Sequence, residues 1–189
     1  MFRQARRLLH PAFPVFPLCL LLVCGAVRGA DFSLSGPGLQ DGGSLPLEQV
    51  QCGGGNASPA LQWSNAPAGT KSFAVTMYDP DAPTMSGWWH WQVYNLPATL
   101  SSLHANAGDP AAGLLPAGAV QNLNDGGKPG YGGACPPRGD KPHRYVITVF
   151  AMPDEVIKLP ASPSNAMVGF NLLRNALGKA SLTLTYGRP

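Results

Sequence analysis

Three short segments of the chain carry carboxylates and imidazoles in patterns that favour ligand binding. Residues 79–83 read Asp-Pro-Asp-Ala-Pro, and this rigid acidic corner directly follows a strand-like run. Residues 88–91 read Trp-Trp-His-Trp, which sets His90 among indoles just before another such run. Residues 136–137 are a Pro-Pro pair, and residues 143–145 read His-Arg-Tyr at the start of a third run. Two histidines and two aspartates near strand ends could therefore converge on one pocket.

Each segment also has a plainer interpretation. Asp-Pro-Asp is often only a turn, in which the Asp oxygens bond to nearby amides. His90 could be a buried histidine that donates to a backbone carbonyl, since histidine is intermediate in burial. His143 could simply open an ordinary strand. His104 lies in a polar stretch, and no role is assigned to it.

The order of these segments resembles the signature blocks of the phosphatidylethanolamine-binding proteins, a family also called the Raf kinase inhibitor proteins. The bacterial branch of that family is the most similar in local pattern. The similarity to it lies in residues 56–63, residues 87–91 and the Tyr-Gly-Gly-Ala-Cys-Pro-Pro run at 131–137. Any one block is a weak signal, whereas the ordered set is specific and spans residues 31–189.

The resemblance implies a mostly β protein, a sandwich of two antiparallel sheets with long loops and one or two short helices. It also implies a small pocket that binds phosphate-like groups. Asp81 matches a second acidic position that is more often structural in the family. Trp89 stands where animal members carry a further histidine, which predicts a more apolar rim. Matched residue by residue, the predicted ligand-binding residues are Asp79, His90, Pro136, His143 and Tyr145.

Such a pocket is chemically coherent. Two imidazoles can donate N–H bonds to an oxyanion, and their protonation near neutral pH adds positive charge. Asp79 would repel an anion by itself, so we expect it to orient a histidine through a hydrogen bond. Tyr145 can donate from its hydroxyl. We therefore expect anion affinity to rise as the pH falls through the histidine range.

Three functions compete at this point. The first is a non-enzymatic protein that binds a small anion and needs no cofactor or metal. The second is an inhibitor of a protease or kinase, as the family name suggests. The third is a metal-dependent hydrolase, because the set Asp79, Asp81, His90 and His143 offers metal ligands. No Gly-x-Ser-x-Gly elbow is present, so the sequence favours a binding protein over an enzyme. The oligomeric state is left open.

Four runs have the alternation and composition of strands, and they must position these side chains. They cover residues 72–78, 91–96, 144–152 and 181–186. With 23 Gly and 20 Pro, the chain is too rich in helix breakers for a helix bundle.

One helix is predicted over residues 166–177, with Ser164 as its N-cap and Gly178 as its stop. Residues 105–142 contain no clear element. A loop of that length is usually functional or held in place by something else.

The charges indicate an exported protein and argue against nucleic-acid binding. The 13 Lys and Arg against 10 Asp and Glu give a net charge of +3 for the 189 residues. Four of the arginines lie within residues 1–30, which contain no acid, so the remainder is 13 − 4 = 9 against 10, or −1. Residues 1–30 are typical of a signal peptide cleaved after Ala26 or Ala30, and an uncleaved anchor is the alternative. We expect residues 31–189 to form one periplasmic or secreted domain, with at most peripheral membrane contact.

Cysteine usage agrees with export. Removal of the leader leaves only Cys52 and Cys135, and an even pair in an exported chain is most simply a disulfide. The alternative is a reactive thiol, although no histidine lies close to Cys52 in the sequence.

Overall fold

Two antiparallel sheets form the framework of the structure, a computed structural model that describes residues 30–189. The larger sheet has the order β6-β4-β3-β7-β8, and the smaller has the order β1-β2-β5. The predicted fold class, a mostly β sandwich with long loops and a helix, is confirmed. The strands are β1 (Ser33–Ser35), β2 (Leu61–Ser64), β3 (Ser72–Asp79), β4 (Trp88–Pro97), β5 (Ser102–Leu103), β6 (Val120–Gln121), β7 (His143–Met152) and β8 (Gly178–Tyr186).

The centre of the larger sheet is formed by the two most apolar runs of the sequence. Strand β3 pairs with β4 on one side and with β7 on the other, and it is buried along almost its whole length. Strand β4 begins three residues before the predicted start at Trp91. The reason is that Trp88 and Trp89 pair with Asp79 and Tyr78 at the end of β3.

The main core lies between the two sheets and follows from the two-residue period of the strands. Phe73, Val75 and Met77 of β3 point to the smaller sheet and pack in this core. Ala74 of β3 and Phe150 of β7 belong to a second cluster on the opposite face, which includes buried residues of the helix. Both faces of the central strands are thus covered.

Helix α1 spans Asn165–Asn175. Its predicted cap is present, since the Ser164 hydroxyl accepts the Met167 N–H at 3.2 Å. The helix ends two residues before the predicted end at Leu177. The chain leaves the helix there because the Leu177 N–H already donates to the Ala151 carbonyl of β7, at 2.8 Å.

The long segment at 105–142 is fixed at several points. It contains strand β6 and a short 3-10 helix at Pro110–Ala112, and the rest is irregular. A disulfide joins Cys135 to Cys52 with 5.0 Å between their Cα atoms, so the predicted pairing is confirmed.

The predicted leader, residues 1–30, lies outside the described residues except for Ala30. Within residues 30–189, no helix has the length and apolar character that a membrane crossing requires.

Candidate functional site

The predicted site residues of β3 and β7 meet at one end of the core between the sheets. Asp79 ends β3 on the same face as Val75, two pleat repeats earlier. His143 and Tyr145 lie at the beginning of β7, on the same face of the strand as Ile147, which packs in the same core. Because β3 and β7 are antiparallel, the end of one strand lies beside the beginning of the other. The fold thus places a carboxylate, an imidazole and a phenol together.

His90 reaches this cluster through a β-bulge. Trp89 pairs with Tyr78 and Trp91 pairs with Met77, and these two partners are consecutive residues of β3. His90 is therefore an extra residue of β4 without a paired residue in β3. A bulge breaks the alternation of side chains and re-aims one of them. His90 and Trp91 consequently both lie on the inner side of the sheet, where His90 packs edge-on against Tyr145 with 5.2 Å between the ring centroids.

The Asp79 carboxylate is fully occupied by donors. One oxygen accepts the backbone N–H groups of Asp81 and Ala82, at 2.8 and 3.0 Å. The other accepts from His143 Nδ1 at 2.8 Å, and both side chains are buried. The histidine-orienting hydrogen bond that we expected at Asp79 is therefore present. It places the proton of neutral His143 on Nδ1, since a carboxylate only accepts. His143 Nε2 also lies 3.5 Å from the exposed Asp140 carboxylate.

His90 is held in one tautomer as well. Its Nδ1 lies 2.6 Å from the Gly132 carbonyl, which can only accept, so Nδ1 carries the proton. The Gly132 N–H in turn donates to the His90 carbonyl at 2.9 Å. Burial lowers the pKa of His90, and this effect outweighs the opposing effects of the Gly132 carbonyl and the Asp79 and Asp125 charges. Neutral His90 therefore has an unprotonated Nε2.

Tyr145 contributes a hydroxyl that is buried and unsatisfied. The side chain is fully buried, and its oxygen has no hydrogen-bond partner among residues 30–189. Burial, followed by the nearby Asp79 charge, raises the pKa of Tyr145 well above its ordinary value. The hydroxyl therefore stays protonated and can donate. A buried polar group without a partner is rare and needs an explanation.

These side chains line one cavity of about 330 Å³. This volume is near the lower end of the range for small-molecule sites. All five predicted ligand-binding residues line it, namely Asp79, His90, Pro136, His143 and Tyr145. Their role in binding stays a prediction.

The two residues predicted to support the site do not line this cavity. Asp81 turns outward and accepts three hydrogen bonds from Arg144, including a bidentate pair at 2.7 and 2.9 Å. Arg144 holds the pKa of Asp81 at about 2. Trp89 lies on the other side of the bulge, against the Tyr78 ring and Gly169 of α1. Trp89 therefore does not line this cavity, and the indole that lines it is that of Trp88.

Sequence reasoning missed several lining residues. Trp88 lies two residues before His90. The bulge in β4 determines that the Trp88 indole, and not the Trp89 indole, lies on the same side of the sheet as His90. Tyr131 lines the cavity, and its hydroxyl donates to the Gln49 carbonyl at 2.7 Å. Lys128 lies at the cavity with most of its side chain exposed, and no local pattern marked it. Buried Asn124 holds this turn, since its side-chain oxygen accepts the Lys128 N–H at 3.2 Å.

One wall of the cavity is a loop at residues 132–137 that is held in place by several bonds. Cys135 lines the cavity and is bonded to Cys52. Pro136 follows, and its carbonyl accepts from Arg188 Nε at 2.6 Å. The Gly133 N–H donates to the Asn56 side chain at 2.7 Å. Covalent and polar ties thus set the position of this wall.

A metal site is not supported by the arrangement of side chains. Among residues 30–189, no three His, Cys, Asp or Glu side chains come together in a way that could hold a metal ion. Of the four proposed metal ligands, Asp81 is paired with Arg144, and Asp79 already accepts three hydrogen bonds.

Comparison with known proteins identifies relatives over nearly the whole described chain. A sequence model of the phosphatidylethanolamine-binding protein family matches residues 35–187. YbcL of Escherichia coli is 47% identical over 171 residues, which cover 88% of this chain and 93% of YbcL. YbhB of Escherichia coli is 49% identical over 152 residues, covering 78% of this chain and 95% of YbhB.

A solved structure agrees with the fold. The crystal structure of Escherichia coli YbcL, described there as a new member of the mammalian PEBP family, has a TM-score of 0.81. It covers 85% of this chain and all of that chain, at 48% identity.

A third relative bears on location. A Mycobacterium tuberculosis protein named as a lipoprotein, LppC, is 33% identical over 155 residues, which cover 82% of this chain and 71% of LppC. The Cys52–Cys135 disulfide of this chain is a bond of the kind that persists in oxidising compartments outside the cytoplasm.

Proposed function

The chain belongs to the phosphatidylethanolamine-binding protein family, and on that premise we propose that it binds a small phosphate-like anion between His90 and His143. The observation that carries the proposal is the buried Tyr145 hydroxyl, a donor on the cavity wall without a partner among residues 30–189. A ligand oxygen would satisfy it. A hydrogen bond to a charged acceptor contributes about 1.5–3 kcal/mol, which is enough to matter for a small ligand.

The cavity lining offers an anion donors and a cation, although Asp79 also lines it. The Asp79 carboxylate receives three hydrogen bonds, so its lone pairs are largely engaged within the protein. Lys128 adds a cation at the mouth. Trp88 and Pro136 supply apolar walls of the kind that small-ligand sites use.

We propose a binding role rather than an enzymatic one. The cavity offers acceptors and donors that orient a ligand, but the side chains around it do not provide the clustered ligands of a catalytic metal. An inhibitory role toward a protease or kinase would be a consequence of such binding, through a phosphorylated partner, and no surface of the described chain favours it specifically.

We also propose that the domain acts in the periplasm or outside the cell. The disulfide supports this location, because such bonds persist in oxidising compartments. Cell fractionation with an antibody to residues 31–189 tests the location, and recovery in the cytoplasm would contradict it.

Calorimetric titration with inorganic phosphate tests the binding function. We expect saturable binding to the wild type and to His104→Ala, since His104 is exposed and does not line the cavity. His143→Ala should lose most of the affinity. Equal affinity in His143→Ala and His104→Ala, or no saturable binding by the wild type, would refute the proposal.

A further inference from the structure

The two histidines of the cavity both have their Nδ1 protons engaged in hydrogen bonds within the protein. His90 Nδ1 donates to the Gly132 carbonyl, and His143 Nδ1 donates to Asp79. A neutral imidazole has one donor nitrogen and one acceptor nitrogen. What each ring has left for a ligand is therefore its unprotonated Nε2, an acceptor. This differs from the expectation from sequence that both rings donate to the anion.

The free nitrogen of His90 differs from that of His143, because His143 Nε2 lies 3.5 Å from Asp140, whereas His90 Nε2 makes no hydrogen bond among residues 30–189. His90 is 6% exposed and lines the cavity, so a ligand in the cavity is the partner left for its Nε2. The charged or titratable groups around the His90 ring and along the cavity are Asp79, Asp125, Lys128, Tyr131, His143 and Tyr145. Burial nevertheless lowers the pKa of His90, so the neutral ring is the form that meets a ligand at neutral pH.

An acceptor in an anion site repels a fully ionised oxygen. The Nε2 lone pair would face the lone pairs of a bare oxyanion, and neither atom could donate. A ligand that carries its own proton removes this conflict, since its O–H donates to Nε2 while its other oxygens accept from donors such as Tyr145. Hydrogen phosphate has such a proton at neutral pH, and so does a singly protonated phosphate ester. Sulfate has none.

We propose that the cavity is selective for protonated tetrahedral oxyanions, with His90 Nε2 as the acceptor that distinguishes phosphate from sulfate. This inference rests on the proposed anion-binding function and names the ligand form that the site recognises. His90 is then a specificity-determining residue, and the Gly132 carbonyl is the group that fixes its tautomer. The bulge in β4 serves this selectivity, because it brings the ring to the inner side of the sheet.

Two pairs of ions separate the effect of the ligand's proton from the effects of its size and charge. The two ions of each pair are matched in size and charge, and only one of them carries a proton. At about pH 8, above the second pKa of a phosphate group, hydrogen phosphate and sulfate are dianions of the same shape. Arsenate and selenate form a second pair of larger ions. In this pair, hydrogen arsenate carries a proton and selenate does not. The measurement is calorimetric titration of the full-length protein with each sodium salt at constant ionic strength, because ionic screening affects all four anions.

We expect phosphate to bind about 5- to 150-fold more tightly than sulfate, and arsenate to bind more tightly than selenate by a similar factor, because leaving a buried group unpaired costs about 1–3 kcal/mol and about 1.4 kcal/mol is a factor of ten. A smaller ratio in either pair overturns the inference and leaves anion binding intact. Absence of binding by all four ions overturns the anion-binding function itself.

A variant tests the assigned residue. His90→Gln places an amide near Nε2 that can donate as well as accept, so the phosphate-to-sulfate ratio should fall through a gain in sulfate affinity. The matched control, His104→Gln, should keep the wild-type ratio. An unchanged ratio in His90→Gln would overturn the assignment to His90. If this variant does not fold, the ion pairs on the wild type decide the question alone.

Discussion

Replacement of Tyr145 by Phe should change stability and binding in opposite directions. The Tyr145 side chain is fully buried, and its hydroxyl has no partner among residues 30–189. In the ligand-free protein this oxygen carries a desolvation penalty that nothing offsets, and such a group costs about 1–3 kcal/mol. Tyr145→Phe removes the oxygen and keeps the ring, which packs against His90.

The free energy of unfolding should therefore rise by about 1–3 kcal/mol without ligand. For a domain of this size, each 1 kcal/mol corresponds to a shift in Tm of about 2–4 °C. Phosphate affinity should fall, because a hydrogen bond to a charged acceptor contributes about 1.5–3 kcal/mol. At about 1.4 kcal/mol per factor of ten, the loss is roughly 10- to 150-fold.

Thermal unfolding without phosphate and calorimetric titration with phosphate measure the two effects. Tyr94→Phe is the matched control, since Tyr94 is also buried but lies in the cluster under the helix, away from the cavity. A Tyr145→Phe protein that is less stable than the wild type would show that the hydroxyl is satisfied in the free protein. Unchanged phosphate affinity would show that the hydroxyl does not contact the ligand. Either result would refute the reasoning.

Two further predictions concern the supports of the site. Replacement of both Cys52 and Cys135 by Ser should lower the free energy of unfolding in urea by about 2–4 kcal/mol, because the disulfide closes a loop with a sequence separation of 83. Phosphate affinity should also fall, since Cys135 lines the cavity; a double variant as stable as the wild type would contradict the assigned role. In an NMR titration, the Asp81 carboxyl should have a pKa of about 2, because Arg144 hydrogen-bonds to its charged form. Arg144→Gln should move this pKa up toward the ordinary value of about 3.9. The contribution of the pair to stability is thus complete above about pH 4 and is lost as the pH falls toward 2, and an unshifted pKa in the wild type would contradict the pairing.

The parts of the fold that the sequence predicts are those with local signals. The Ser164 cap depends on one side chain and one amide three residues away, so the helix start was predictable. Strands β3 and β7 are long apolar runs with a two-residue period. The short strand β2 was missed because its four residues pair with β1 and β5, which lie far away in the sequence.

The same distinction separates the predicted and unpredicted parts of the site. Asp79 is the last residue of β3 and His143 is the first residue of β7. Because the two strands are antiparallel neighbours, these residues lie close together. The side on which His90 lies depends on the register between β3 and β4, including a bulge that no local pattern encodes. For this reason the sequence favoured Trp89 at the cavity, whereas the fold places Trp88 there.

The central claim is that an anion binds between His90 and His143. The most direct measurement is a titration of the protein, labelled with ¹⁵N at its histidines, with inorganic phosphate, followed through the imidazole nitrogens by NMR. We predict saturable shifts of Nε2 in His90 and His143 with one common dissociation constant. His104 is exposed and does not line the cavity, so it should not respond. Shifts of equal size at His104, or none at His90 and His143, would contradict the claim.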